Sequence, residues 1–322
     1  MLKKMGFALA LIVAVAAATS AVTAETVKLG LQPWLGYGPL WVAEQKGFFK
    51  KHNVDVELTT FNWDNDMTAA LASGNLHVIA AATNSMISNF NKGVDQKGFL
   101  VLDVSFEADA IIVGSGISTI ADLKGKKVAF ESGSTSDLLM NYALKENSMT
   151  MADIEHVPMG ASEAGLALIA GRVDAAVTYE PYISTALTQG SGYAAIYTAA
   201  KKPGLISDML TASSQWIKAH PTDVEGVIRA WDDAVNFIRD NPAEGSTMIA
   251  KAVGSPMEEF KPAFEGVRLF NVFENVRFLR GTFQATMLEI GEIMHETNPA
   301  EIKKIPTADD LLILDRLHAV IK

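Results

Sequence analysis

Ala70-Leu71-Ala72-Ser73-Gly74-Asn75-Leu76-His77-Val78 and Ala167-Leu168-Ile169-Ala170-Gly171-Arg172-Val173-Asp174-Ala175 are two versions of one short phrase. In each, an apolar helical run stops at a glycine, one polar residue follows, and a strand pattern begins. Glycine suits the stop because it takes the left-handed backbone conformation that closes a helix without a Cβ clash. The elements upstream also match. Before the first copy, Val27–Leu31 reads as a strand, Pro39–Phe49 as a helix, Val54–Leu58 as a strand and Asp66–Ala72 as a helix, and Leu76–Ala80 follows as a third strand. Before the second, Lys127–Phe130 is a strand, Ser136–Lys145 a helix, Ile154–Val157 a strand and Ala164–Ala170 a helix, with Val173–Val177 as the third strand. Alternating strands and helices imply parallel βαβ units. Repetition of order, spacing and cap implies two similar α/β lobes.

The first crossing between lobes falls near Ser105–Asp109, between the extended runs Val101–Ser105 and Asp109–Val113. The return falls near Thr198–Leu210, after the strand Ala194–Tyr197. Residues 25–107 are then the first part of lobe one, 108–200 are lobe two, and 201–322 are the return crossing and a helical completion of lobe one. In that last part Thr222–Glu225 reads as a capping box. Val224, Val227, Ile228, Trp231, Val235 and Ile238 share one helix face, which makes Trp231 a core residue. Two crossings form a hinge, and a ligand is expected in the cleft that the hinge closes.

The flanking sequence and composition narrow the class. Lys3 and Lys4, the apolar run Phe7–Ala18 and the small residues Val22 and Ala24 form the three parts of a cleaved secretory signal over residues 1–24. The 322-residue chain has no cysteine, so no disulfide, thiolate metal site or cysteine nucleophile is available, nor a lipid-bearing cysteine after the signal. A free periplasmic protein, monomeric and meeting the membrane only through a partner, is the expectation. With 49% hydrophobic residues it can build an ordinary core, and a formal charge of −10 argues against nucleic acid. The six histidines are scattered without metal-ligand spacing, and no nucleophile elbow or phosphate loop occurs. No catalytic residue, metal or cofactor is assigned.

Several segments together carry a family likeness: Trp34-Leu35-Gly36-Tyr37-Gly38-Pro39-Leu40 with Ala43–Phe49, Ala70–Val78, Ile120–Val128, and Ala170–Tyr182 with its Glu180-Pro181 corner. The chain resembles the periplasmic solute-binding proteins of the nitrate/sulfonate/taurine/bicarbonate importer group, the sulfonate-binding and thiamine-pyrimidine-precursor-like family. The resemblance spans nearly the whole chain after residue 24. It implies a type II periplasmic-binding fold with two α/β lobes, a hinge and a cleft, a small-molecule ligand, and an ABC permease with its ATPase as partners. It also implies that the Glu180-Pro181 corner borders the cleft. One branch, the eukaryotic pyrimidine synthases, works through a cysteine-rich motif with iron, which this chain lacks.

In open α/β sheets ligands sit beyond the carboxyl ends of the strands. The loops there hold no Lys or Arg; they hold Asp64, Asp66, Glu107, Asp109, Glu131 and Glu180 with Trp34, Tyr37, Trp63, Phe106, Tyr179 and Tyr182. Carboxylates with aromatic faces suit a small cationic or nitrogen-rich solute such as an amine, guanidinium or urea-like compound. The expected ligand contacts are Trp34, Tyr37, Trp63, Asn84, Glu107, Asp109, Ser132, Ser134, Thr135 and Glu180. Asp64 and Asp66 equally suit helix capping, Glu131 a solvated strand end, and Glu107 and Asp109 pairing with Lys201 or Lys202. Ser132-Gly133-Ser134-Thr135 opens a helix, where N–H groups and hydroxyls can hold a small oxyanion or zwitterion such as a sulfonate, taurine or nitrate. That is the alternative ligand class. An enzyme on the same fold is the remote one.

Overall fold

A computed structural model of the chain describes residues 25–189 and 192–321. The signal-peptide reading of residues 1–24 lies outside the described residues. Eleven strands are described: β1 (Val27–Leu31), β2 (Val56–Thr60), β3 (Val78–Ala82), β4 (Lys97–Ser105), β5 (Asp109–Val113), β6 (Lys127–Phe130), β7 (Glu155–Pro158), β8 (Ala175–Tyr179), β9 (Ala194–Thr198), β10 (Ser207–Ala212) and β11 (Val267–Leu269). They form two sheets, ordered β11-β4-β10-β3-β1-β2 and β7-β6-β8-β5-β9.

Written outward from the middle, the two sheets share one plan. β1 pairs in parallel with β2 and β3, and β6 pairs in parallel with β7 and β8. β10 runs antiparallel between β3 and β4, and β5 runs antiparallel between β8 and β9. β10 and β5 are therefore equivalent, and each is the strand by which the chain enters its sheet after changing lobes. Gly74 and Gly171 both take positive φ, at 76° and 66°, as the repeated phrase requires.

β3 and β8 are buried along their whole length, which fits their alanine-rich sequences VIAAA and AAVTY. Small side chains there let helices Asp64–Ala72 and Ala161–Ile169 lie close on their sheets. Each makes a satellite core, one with Met67, Leu71, Leu76 and Ile79, the other with Ile112, Ala164, Ala167 and Leu168. The main core is closed by the 20-residue helix Pro221–Asp240, whose Trp231 is fully buried and donates its indole N–H to the Phe270 carbonyl at 2.8 Å. That helix starts one residue before Thr222, with His220 at its N-cap and Pro221 in its first turn, so Thr222 caps nothing. Glu225 instead pairs with Arg316 at 3.3 Å. Gly47, at φ 73°, breaks the helix read over Pro39–Phe49 into Gly38–Gln45 and Phe48–Lys51.

The chain leaves the first sheet after Ser105 and starts β5 at Asp109; it leaves β9 at Thr198 and rejoins the first sheet at Ser207. The crossings are tied together. Ser105 N–H donates to the Ile206 carbonyl at 3.1 Å, and Glu180 N–H to the Ala108 carbonyl at 2.9 Å. Among the described residues no helix is long and apolar enough to cross a membrane.

Candidate functional site

The carboxyl ends of the central strands converge on a small cavity between the lobes, about 30 Å³ in volume. From the first lobe come Gln32, just after β1, Trp34 and Tyr37 on the following loop, Asp64 at the start of its helix, and Asp208 on β10. From the second come Asp109 at the start of β5, Glu131 just after β6, Ser134, Thr135 and Ser136 at a helix start, and Thr178 and Tyr179 at the end of β8. Ala82, Ala161 and Ile206 complete the lining. No Lys or Arg lines it.

Equivalent positions of the two lobes supply the acids. Asp109 stands opposite Tyr179, the last residue of β8; Asp208 stands opposite Ala82, the last residue of β3. Gln32 and Glu131 are each the first residue after an equivalent strand. Asp208 also faces Asp103 across the antiparallel β10–β4 pair, which places two buried carboxylates side by side on one face. Asp103 receives the Trp34 indole N–H at 3.1 Å. This close approach needs Gly36: a Cβ there would lie 2.2 Å from Asp103 Oδ2 and 2.3 Å from the Trp34 indole nitrogen. The Trp34 ring meets Tyr179 of the other lobe edge-on, with centroids 5.8 Å apart.

Burial of so many acids raises their pKa values, because desolvation disfavours the charged form and each charge opposes the next. Burial lifts Asp64 to about 6, with the Asp109 charge adding. Burial lifts Asp109 to about 7, with Glu180 adding, and Glu131 to about 7, with Asp64 adding. Asp103 reaches about 8 through burial, against the opposing bond from Trp34. Asp208 is pushed well above the ordinary range by burial and then by Asp103, Asp109 and Asp64.

Among the described residues, seven buried side-chain polar atoms have no hydrogen-bond partner: both amide atoms of Asn84, the hydroxyls of Ser85, Ser105 and Tyr179, and Oδ2 of Asp103 and of Asp109. Buried polar groups are nearly always paired in folded proteins. All seven lie on the cleft-facing ends of β3, β4, β5 and β8 or just after them.

Of the ten residues expected as ligand contacts, Trp34, Tyr37, Asp109, Ser134 and Thr135 line the cavity. Asn84 lines a neighbouring space. The other four do not line the cavity. Trp63 packs across the lobe boundary, where a Cβ on Gly160 would lie 3.3 Å from the indole. Glu107 is exposed on the crossing. Ser132 is exposed, and its carbonyl accepts from Asn65 Nδ2 at 3.4 Å. Glu180 is buried, but its carboxylate accepts from the Ser184 N–H and hydroxyl, both at 3.0 Å. Lys202 pairs with Glu289 rather than with Glu107 or Asp109.

Three acids read otherwise, or not at all, belong to the site. Asp64 makes no capping bond, since Trp63 is the N-cap, and its carboxylate lines the cavity. Glu131 is buried rather than solvated. Its carboxylate accepts from Asp64 N–H at 3.2 Å, Asn65 N–H at 3.1 Å and Asn65 Nδ2 at 2.9 Å, so a second-lobe acid caps a first-lobe helix. Asp208 lies in a stretch read only as a return crossing. Asp103 carries a signal, an acid inside the apolar run Phe99–Val104, whereas Asp208, between Ser207 and Met209, carries a weaker one. The helix start at Ser134 is largely occupied from within. Gly133 N–H donates to Asp137 at 2.7 Å and Ser136 N–H to Ser134 Oγ at 3.2 Å.

A family model described as NMT1/THI5 like matches residues 34–245. The chain belongs to the NMT1/THI5-like family. Relatives include an aliphatic sulfonates-binding protein of Escherichia coli (strain K12), 32% identical over 158 residues, 47% of each chain. Another, from Bacillus subtilis (strain 168), carries the same description and is 26% identical over 231 residues, 70% of this chain and 68% of that one. The match spans about half the length of the first. The alkanesulfonate-binding protein SsuA from Xanthomonas axonopodis pv. citri, solved bound to MOPS, superposes with a TM-score of 0.75 at 18% identity, covering 90% of this chain and 98% of that one. At that identity the likeness shows the fold, which is that of the periplasmic binding proteins. The Escherichia coli and Bacillus subtilis relatives are both named for sulfonates, which are oxyanions.

Proposed function

We propose that this chain is the solute-receiving component of an ABC-type import system, and that it closes its two lobes over a small organic cation rich in N–H donors, such as an amine, guanidinium or amidine. Family membership and fold support the receptor role. The observation that carries the ligand class is the lining: Asp64, Asp109, Glu131 and Asp208 converge on one space that, among the described residues, has no Lys or Arg. Four carboxylates cannot all ionise there without a counter-charge. A cation supplies it, and its N–H groups meet the lining carboxylates, among them the unpartnered Oδ2 of Asp109. Trp34, Tyr37 and Tyr179 add ring faces and edges on the walls. The permease and ATPase would act on the closed form.

A second reading keeps the receptor and makes the ligand an oxyanion or zwitterion. The sulfonate-binding relatives favour it, as does Lys92, whose Nζ lies within 3.8 Å of where a Gly133 Cβ would be. Isothermal titration of the purified chain separates the two. Guanidinium and methylammonium form one panel; taurine, nitrate and ethanesulfonate form the other. Binding of the cations with no heat from the sulfonates is the expected result. Tight sulfonate binding with no response to cations refutes the cationic reading and installs the second. Turnover of a bound compound would overturn both.

A further inference from the structure

Asn84 does not reach the carboxylate cavity. It lines a second space of about 30 Å³ with Ser88, Asp137, Asn141, Thr297 and Glu301, and Ser134 lines both spaces. This second space also lies between the lobes: Asn84 and Ser88 come from helix Thr83–Asn91, Asp137 and Asn141 from helix Thr135–Glu146, and Thr297 from the end of helix Phe283–Thr297. Asn84 is only 1% exposed, and both atoms of its amide lack a partner. A buried amide left open in this way is costly to the fold and calls for a reason.

Glu301 is exposed, at the solvated rim, and the chemistry on offer at the buried wall is neutral. The Asp137 carboxylate is already engaged on both sides, by Gly133 N–H at 2.7 Å and Asn141 Nδ2 at 2.6 Å. What stays open is the Asn84 amide, which can donate and accept at once. A hydroxyl or carboxamide matches it, and a charged group does not.

We infer that the second space receives a neutral polar substituent of a ligand whose cationic head lies among the carboxylates, so that Asn84 is a specificity-determining residue; this rests on the cationic reading above. The test titrates the purified chain with guanidinium, ethylguanidinium and 2-hydroxyethylguanidinium. The hydroxyethyl compound is expected to bind about fivefold more tightly than the ethyl one, as one or two neutral hydrogen bonds allow. Asn84→Ala abolishes that preference. The substitution breaks no hydrogen bond, because the amide it removes has no partner. Ser88→Ala lowers the preference in the same direction. If ethyl and hydroxyethyl compounds bind equally while guanidinium still binds, the second space is refuted and the cationic reading stands. A preference that survives both substitutions likewise refutes the role of Asn84. If none of the three binds, the cationic reading fails and this inference falls with it.

Discussion

Asp109→Asn removes one negative charge from the cavity wall with little change in shape, and two measurements should move in opposite directions. Asp109 is 6% exposed, and its Oδ2 has no partner. Burial and the neighbouring Glu180 hold its pKa near 7, against 3.8 for an ordinary aspartate. The folded chain therefore binds more protons than the unfolded chain between those two values. Stability falls as pH rises across that window and stays reduced above pH 7. The gap amounts to an upper bound of about 4 kcal/mol at pH 8. Relaxation of the site reduces this, so the ligand-free variant is expected to gain about 1–3 kcal/mol. Affinity goes the other way. A hydrogen bond between a charged acceptor and a cation contributes about 1.5–3 kcal/mol, so guanidinium binding should weaken about 10- to 100-fold. Thermal melts at pH 8 without ligand and isothermal titration at the same pH read the two effects. Unchanged affinity would remove Asp109 from the binding wall. Loss of both stability and affinity would mean that the carboxylate is a structural group, and the reasoning from burial would be wrong.

Cation affinity should rise with pH, because Asp64, Asp109 and Glu131 lose their protons near 6, 7 and 7 and it is the ionised forms that hold the ligand; titrations at pH 5.5 and 7.5 should differ by about tenfold or more, and a flat or inverted profile counts against the cationic reading. Glu131→Gln replaces the carboxylate that caps the first-lobe helix from the second lobe. It should open the ligand-free chain, seen as a larger radius of gyration in small-angle scattering, and an unchanged radius would show that this contact does not hold the lobes together. Gly36→Ala drives a Cβ to within 2.2 Å of Asp103. Overpacking of about 1–3 kcal/mol should lower the melting temperature by several degrees, and a wild-type melt would disprove the tight approach.

The repeated helix-glycine-strand phrase was readable because everything it needs is local: a periodic apolar run, a residue free to take positive φ, and a short strand. Where the third strands begin was not local. Leu76–Ala80 and Val173–Val177 were expected, whereas β3 and β8 are Val78–Ala82 and Ala175–Tyr179. In both lobes three residues past the glycine carry the chain to its sheet partner before pairing starts, at Leu29 with Val78 and at Val128 with Ala175. The same error twice is further sign that the lobes repeat. Loop acids could be named from the strand-end rule, but their directions could not. Glu180 and Glu131 read alike in sequence; one turns back to Ser184, and the other crosses to the opposite lobe. Asp103 and Asp208 needed the β4–β10 register to be seen as neighbours.

The equivalence of β5 and β10 explains why the acids meet. Each is the first strand after a crossing, so its first residues stand at the hinge, at the end of the sheet where the cleft opens. Asp109 and Asp208 occupy that place in the two lobes, each opposite the last residue of the same neighbouring strand. Moving the lobes apart would separate these two charges and let water reach them, while closing them brings both into one dry space. Repulsion between the carboxylates thus opposes closure of the ligand-free chain, and contacts such as the Glu131 cap and the Trp34–Tyr179 edge favour it. A cation placed between the acids reverses the sign of the first term and leaves the second untouched. Ligand charge and lobe closure are then one equilibrium, and a neutral solute of the same shape should bind to the open lobes without drawing them together.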